Sequence, residues 1–189
     1  MTTTTTTTTA PFVDADAVAT TVDAVCAEPA LGEVTFRMTS RPGGGLVATS
    51  QTGALTQGET TDESRAGKFA LSSDEPEPLL GSDTAVSPAE YALKALAGCY
   101  TVTLASLAAA RGIQVDAMEM SLEFEIDLRG FLGIDHDIRK GARQIRVDLD
   151  LQSETATRED LQALVEAVES TSPLRDTLAN PVDVVTRLR

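Results

Sequence analysis

The chain has 189 residues, which is long enough for one domain with a hydrophobic core. Its formal net charge of −14 at pH 7 argues against binding nucleic acid or an anionic membrane, because both need a basic protein surface. The two cysteines lie far apart and do not form a disulfide framework, so we expect a reducing, cytoplasmic location. The N-terminus lacks the basic and apolar regions of a signal peptide, so we expect none.

The chain is predicted to consist of three parts. Residues 2–9 are all threonine and cannot bury apolar surface, so residues 1–12 are predicted to be a disordered tail. Residues 13–32 are predicted to be an N-terminal helical extension, because apolar residues recur there at helical spacing. The folded domain is predicted to cover residues 33–189.

A β-hairpin is predicted to open the folded domain. Apolar and polar residues alternate from Glu33 to Thr39, a glycine-rich turn covers residues 41–45, and Leu46 to Ser50 forms the return strand. Three consecutive glycines could also cradle a phosphate, but their spacing fits no phosphate-binding motif and no helix follows. Residues 51–67 are interpreted as a polar, turn-rich connection, and Lys68 to Ser72 as a third short strand.

A long helix is predicted at the centre of the chain. Ser87 can cap its first turn, Pro88 suits the first helical position, and Glu90 can complete a capping box. Gly112 stands where a helix C-terminal glycine is expected. Apolar residues fall on every face, so this helix is predicted to be buried all round, with Cys99 in its middle.

The long helix could also be considered a membrane span, because its length is about right. However, alanine is only weakly apolar, and polar residues such as Lys94, Thr101 and Ser106 interrupt the sequence. The composition therefore favours the central helix of a soluble core.

Two long alternating strands and a second helix follow. The strands run from Met118 to Leu128 and from Ile145 to Leu151, each with one apolar and one polar face, around a glycine-containing loop at 129–142. The helix starts at Thr157 with Asp160 as its capping partner, and Ser172-Pro173 ends it. Residues 174–180 are interpreted as a connection, and Val182 to Leu188 as a last strand.

This order of elements predicts an α+β fold in which antiparallel sheet is segregated from helices. A helix that is apolar on every side needs more cover than one amphipathic helix and one small sheet provide. We therefore expect a homodimer in which the two central helices pack together.

Four motifs occur in a fixed order along the chain: Ser87-Pro88-x-Glu90 leading into Ala97-Gly98-Cys99, then Arg111-Gly112-Ile113 before a strand, Asp127 to Gly133, and Ser172-Pro173-Leu174-x-Asp176-Thr177-Leu178. Together they resemble the OsmC/Ohr family, named for osmotic induction and organic hydroperoxide resistance, from about residue 33 onward. The resemblance implies an intertwined dimer whose antiparallel sheets wrap around the long central helices. It also implies a thiol site at the subunit interface that reduces organic hydroperoxides, without a metal or cofactor.

The resemblance assigns roles to individual positions. The family's first cysteine corresponds to Cys99, while its second, in a Cys-Pro pair, corresponds to Ser172, so an external thiol would have to complete the reaction. The family's glutamate position is Ala89, and Glu90 lies about 100° away around the helix, as expected of a cap. The activating arginine comes from the first hairpin, where Arg41 is the nearest candidate.

Arg37 is the next candidate for that arginine. A cation is needed because Cys99 lies too far along its helix for the helix dipole to stabilise a thiolate. Cys26 could substitute as a resolving thiol, although it lies outside the matched region. His136, between two aspartates, could bind a metal, but one imidazole in a polar loop is usually solvated.

Two functions stay open from the sequence. The first is thiol-dependent reduction of organic hydroperoxides by Cys99, with Arg41 as activator. The second is binding of a small hydrophobic ligand at the dimer interface, with Cys99 serving only as a small buried residue in a tight helix contact.

Overall fold

The computed structural model describes residues 10–188. Its helices and strands, in chain order, are α1 (Ala15–Ala27), β1 (Val34–Thr35), β2 (Met38–Gly44), β3 (Val47–Thr52), β4 (Leu55–Gln57), β5 (Thr60–Asp62), β6 (Ala70–Ser73), α2 (Pro88–Arg111), β7 (Ala117–Glu125), α3 (Leu128–Phe131), β8 (Gln144–Gln152), α4 (Arg158–Thr171) and α5 (Pro173–Ala179). The predicted threonine tract at 2–9 lies outside the described residues. The predicted boundaries of the three parts stay a prediction.

The chain divides into two compact units, residues 16–92 and residues 93–188, the latter joined by residues 10–15. The 16–92 unit contains two antiparallel three-stranded sheets, with strand orders β1-β4-β5 and β2-β3-β6. The 93–188 unit contains the antiparallel pair β7-β8 with α3, α4, α5 and most of α2. This mixture of helices with antiparallel sheets confirms the predicted α+β class.

The predicted hairpin is formed, but its turn lies at residues 45–46, because residues 41–44, predicted as turn, belong to β2. β2 and β3 pair with a register shift near Pro42, and Gly44 and Gly45 have φ of +102° and +56°, which glycine adopts without strain. The predicted strand from Glu33 to Thr39 is instead divided between β1 and β2, which belong to different sheets.

The interpretation of residues 51–67 as a connection is wrong in part, because β4 and β5 lie within it. Threonine favours extended backbone, and Gly58, with φ of +54°, allows the tight turn between the two strands. These strands are short and their residues mostly polar, so they lack the alternation of apolar residues that reveals a half-buried strand.

The ends of α2 are as predicted. The Ser87 backbone N–H donates to the Glu90 carboxylate at 2.8 Å, and the Glu90 N–H donates to Ser87 Oγ at 3.2 Å, which completes the capping box. Gly112 follows the helix with φ of +63°.

Burial of α2 on every side is wrong for the single chain. One face is buried through Leu96, Tyr100, Leu104 and Ala108, whereas Val102 on another face is 66% exposed.

The hydrophobic core lies in the 93–188 unit. Leu104 of α2 and Leu164 and Val168 of α4 are fully buried, and alternate residues of β7 and β8 pack against them. Helix α4 starts with the predicted capping box between Thr157 and Asp160. The amphipathic pattern of this half of the sequence therefore predicted its packing correctly.

Two short helices in the second half of the chain correct the predictions made for their segments. The Asp127 side chain accepts from the Arg129 N–H and caps the short helix α3, where a strand end and loop had been expected. Ser172-Pro173 ends α4 but also starts α5, because the serine caps it and proline suits its first position.

The predicted strand from Val182 to Leu188 is not formed. Val184 is 84% exposed, and no described strand pairs with this segment. A strand needs a neighbour to satisfy its backbone, and alternation in the sequence does not supply one.

Candidate thiol site

A hydrogen bond joins α2 to the junction of α4 and α5. The Ser172 hydroxyl donates to the Cys99 sulfur at an Oγ–Sγ distance of 3.2 Å. Ser172 is only 2% exposed, and Cys99 is partly buried. The two residues that sequence reasoning aligned with the two cysteines of a thiol peroxidase are therefore direct neighbours in space.

Ser172 is held in place by the helices on both sides of it. Its backbone N–H donates to the Val168 carbonyl at 2.9 Å as α4 ends, and its Oγ accepts from the Arg175 N–H at 3.3 Å as α5 begins. A capping serine of this kind is fixed by backbone groups. Its position against Cys99 is thus set by the two helices.

Two charged side chains act on Tyr100, the residue after Cys99. Arg175 Nη2 lies 3.3 Å from Glu169 Oε1, and both side chains act on the phenol of Tyr100, the residue after Cys99. Burial raises the pKa of Tyr100, and the negative charge of Glu169 adds to this, while Arg175 opposes it. Arg175 is therefore a cation whose charge acts on the residue next to Cys99.

A cavity of about 390 Å³ opens beside Tyr100. Leu96, Ile145 and Val147 give it apolar walls, and three arginines (Arg139, Arg143 and Arg175) line it as well. Cys99 lies outside this lining, one residue from Tyr100. The cavity offers apolar surface together with these three arginines and one acidic residue, Glu169, in a chain that is strongly acidic overall.

The two arginines predicted from the first hairpin lie in the 16–92 unit. Arg41 is on β2, opposite Thr49 of β3. Arg37 lies between β1 and β2, and its Nη1 donates to Thr56 Oγ1 at 2.7 Å. The assignment of Arg41 as activator stays a prediction.

The other residues singled out in the sequence either cap a helix or lie exposed on the surface. Glu90 is the helix cap that its spacing predicted, and hydrogen bonds from Ser87 lower the pKa of its carboxyl group. Cys26 is an exposed free cysteine on α1, and His136 is exposed in the loop after α3. Within residues 10–188, no group of three or more histidine, cysteine or acidic side chains is arranged to hold a metal.

Arg175 and the cavity were not predicted from the sequence. The only local signal was that Ser172-Pro173 can start a helix as well as end one, which would have placed Arg175 in a first helical turn. The contact between Cys99 and Ser172 spans 73 residues of sequence, so no local pattern reports it.

These features define a class of protein. A long helix carries a cysteine at its centre, an antiparallel strand pair and a second helix pack on that helix, and the end of the second helix meets the sulfur. The chain belongs to the OsmC-like protein family, whose family model matches residues 81–187. Proteins of this family are soluble, so α2, although long and apolar enough to span a membrane, is a core helix.

Solved structures show the same fold. The OsmC-like protein of Mycoplasma pneumoniae is 16% identical with a TM-score of 0.60, over 77% of this chain and 87% of that one. The organic hydroperoxide resistance protein OsmC of Legionella pneumophila is 15% identical with a TM-score of 0.56, over 76% and 88%. The organic hydroperoxide resistance protein OhrB of Bacillus subtilis is 21% identical with a TM-score of 0.51, over 79% and 93%. No curated protein matches the sequence.

Proposed function

We propose that this protein is a thiol-dependent reductase of organic hydroperoxides that uses a single cysteine, Cys99. The observation that carries the proposal is the 3.2 Å contact between Cys99 Sγ and the buried Ser172 Oγ. It pairs the two positions that the family's mechanism uses, with a hydroxyl in place of the second thiol. Similarity to hydroperoxide resistance proteins supports the same substrate class.

The proposed reaction has two stages. The Cys99 thiolate attacks the terminal oxygen of the hydroperoxide, the O–O bond breaks, and the alkoxide takes a proton and leaves as an alcohol. The sulfur becomes a sulfenic acid.

A serine cannot form a disulfide, so the second stage needs thiols from outside the chain. One external thiol displaces the sulfenic hydroxyl as water and forms a mixed disulfide, and a second thiol releases Cys99 and carries away the disulfide. The sum is one hydroperoxide and two thiols giving one alcohol, one water and one disulfide. We propose that the protein acts in a reducing cytoplasm, which would supply such thiols.

One further residue and one cavity fit this proposal. Arg41 would stabilise the thiolate and the developing negative charge on the leaving oxygen, since a cation is the usual way to activate a mid-helix cysteine. The cavity beside Tyr100 would accept the organic part of the substrate, because Leu96, Ile145 and Val147 give it apolar walls.

We also propose that the protein works as a homodimer, as proteins of this family commonly do. The exposed Val102 lies on α2, three residues after Cys99, on a face that the single chain leaves open. A second copy packed on that face would complete the burial of α2.

Intact mass tests the reaction directly. The Cys26→Ser variant, whose only thiol is Cys99, is treated with micromolar cumene hydroperoxide and a sulfenic-acid trap such as dimedone. We expect one dimedone adduct in this variant and none in the Cys26→Ser, Cys99→Ser double variant. An unmodified Cys26→Ser protein would rule out the peroxidase proposal.

The second candidate function is binding of a small hydrophobic ligand. Ser172 and Ala89 stand where the family has its second cysteine and its glutamate, which favours loss of the redox reaction with retention of the cavity. On this view, Cys99→Ser leaves ligand binding unchanged. Binding of a fluorescent apolar probe that survives this substitution, together with a missing dimedone adduct, would favour this function.

A further inference from the structure

The hydroxyl proton of Ser172 has one described acceptor. The Oγ already accepts the Arg175 N–H at 3.3 Å as the cap of α5, and this bond uses an oxygen lone pair. The single hydroxyl proton is left for another group, and the described contact in which Ser172 donates is with Cys99 Sγ. The helix cap therefore orients the hydroxyl as a donor toward the sulfur.

We propose that Ser172 is a positioning residue that donates a hydrogen bond to Cys99 and stabilises its thiolate. The inference rests on the proposed function. It goes further by giving a role to the serine at the place of the second thiol. A hydrogen bond donated to an ionised group is stronger than one donated to its neutral form, so it favours the charged state. The same bond fixes the direction in which the sulfur points.

Ser172 Oγ is the polar side-chain atom that directly contacts the Cys99 sulfur among the described hydrogen bonds. The charged or titratable groups described around Tyr100, the residue after Cys99, are Glu169 on α4, Arg175 on α5, and Arg139 and Arg143 in the lining of the adjoining cavity. Glu169 and Arg175 pair with each other at 3.3 Å and act in opposite directions on the neighbouring Tyr100. Tyr100 has a raised pKa and stays neutral at physiological pH.

The test measures thiolate formation without any peroxide. In the Cys26→Ser background, alkylation of Cys99 by iodoacetamide is followed from pH 5 to pH 10, since only the thiolate reacts. Ser172→Ala removes the donor, and we expect alkylation at pH 7 to slow about tenfold, with the profile displaced to higher pH. Ser172→Thr keeps a hydroxyl and should recover most of the rate.

A matched control separates this role from a general effect on the helices. Ser170 lies near the same end of α4, is exposed, and bonds only the Ala167 carbonyl among its described contacts. Ser170→Ala should leave the alkylation profile unchanged. A Ser172→Ala profile that coincides with that of Ser170→Ala would overturn the proposal.

A second variant covers the case in which Ser172→Ala does not fold. Glycine caps a helix almost as well as serine, so Ser172→Gly preserves the start of α5 while it removes the hydroxyl. The same slowing is expected in this variant, and an unchanged profile would overturn the proposal equally.

The proximity itself is tested with Ser172→Cys in the same background. Diamide should oxidise the two thiols to an intramolecular disulfide with loss of two hydrogen atoms, because the two side chains touch. Two free thiols after diamide treatment would overturn the assigned contact.

These measurements fail independently of the proposed peroxidase. A dimedone adduct with an unchanged Ser172→Ala alkylation profile would retain the peroxidase and reject the role of Ser172. A Ser172→Ala alkylation profile displaced to higher pH, with no dimedone adduct, would retain the role of Ser172 and reject the peroxidase.

Discussion

The two units of this chain differ in what they bury. In the 93–188 unit, α2 and α4 meet through fully buried side chains, including Leu104, Leu164 and Val168. In residues 16–92, no hydrophobic residue is buried, and the buried residues are polar, namely Asp74 and Ser87. Large apolar side chains such as Phe36, which is 75% exposed, remain on the surface of that unit.

This difference shows which part of the fold one chain can stabilise. Hydrophobic burial drives folding, and the 93–188 unit obtains it from its own helices and strands. The two small sheets of residues 16–92 are hydrogen-bonded but lack a covered apolar face, and such sheets are marginal in water. We infer that they need a second copy of the chain, which agrees with the proposed homodimer.

The largest expected effect is on the core of the 93–188 unit. Leu164→Ala should lower the free energy of unfolding by about 2–5 kcal/mol, because it leaves a cavity where the side chain is fully buried. Urea denaturation measures this change. Leu132→Ala, at an exposed leucine in the same unit, should change stability by less than about 0.5 kcal/mol. Equal effects would contradict a core centred on α4.

The next largest expected effect is on dimerisation through the face of α2 that carries the exposed Val102. Val102→Asp should weaken dimerisation on the order of a hundredfold, because a carboxylate would be buried between two apolar helices. Sedimentation at several protein concentrations measures this. Ala163→Asp adds the same charge on an exposed position of α4 and should leave the dimer intact. A Val102→Asp variant that stays dimeric while Ala163→Asp loses the dimer would contradict this interface.

The sign of the stability change in Gly98→Ala tells whether the α2 face at Gly98 is open or is covered by a second helix. A Cβ at Gly98 meets no atom within 4 Å in the single chain, so alanine should stabilise an isolated helix there by about 1 kcal/mol. If a second α2 packs closely at this position, the added methyl group should instead weaken the dimer. Thermal unfolding at low and high protein concentration separates the two cases, and we expect destabilisation only where the dimer forms.

The smallest effects come from the two capping boxes, one in each unit. Hydrogen bonds from Ser87 lower the pKa of Glu90, and those from Thr157 lower the pKa of Asp160. A carboxyl group with a lowered pKa in the folded state contributes stability above its unfolded pKa of about 4 and loses it as the pH falls. Glu90→Gln and Asp160→Asn should each reduce stability at pH 7 and flatten its decline below pH 4. An unchanged acid profile in both variants would contradict these roles.

Local patterns predicted much of this fold from the sequence. Both capping boxes depend on residues three apart, and the strands β7 and β8 show their buried faces by alternation. The helices α3 and α5 escaped detection because a short helix set by one capping residue has too few turns to show a periodicity.

The candidate site was predictable only in part. The long helix and the position of Cys99 follow from local sequence. The contact with Ser172 does not, because it depends on how α4 packs against α2. Arg175 reaches the site for the same reason. The segment Val182 to Leu188 shows the converse case, since it has the pattern of a strand but lacks a partner strand within the described residues.

The most direct test of the proposed function is turnover of cumene hydroperoxide with excess dithiothreitol, followed by peroxide consumption. We expect Cys26→Ser to consume peroxide as fast as the parent protein, and Cys99→Ser to fall to the uncatalysed rate while remaining dimeric. Turnover by Cys99→Ser equal to that of the parent, or a parent protein no faster than dithiothreitol alone, would contradict it.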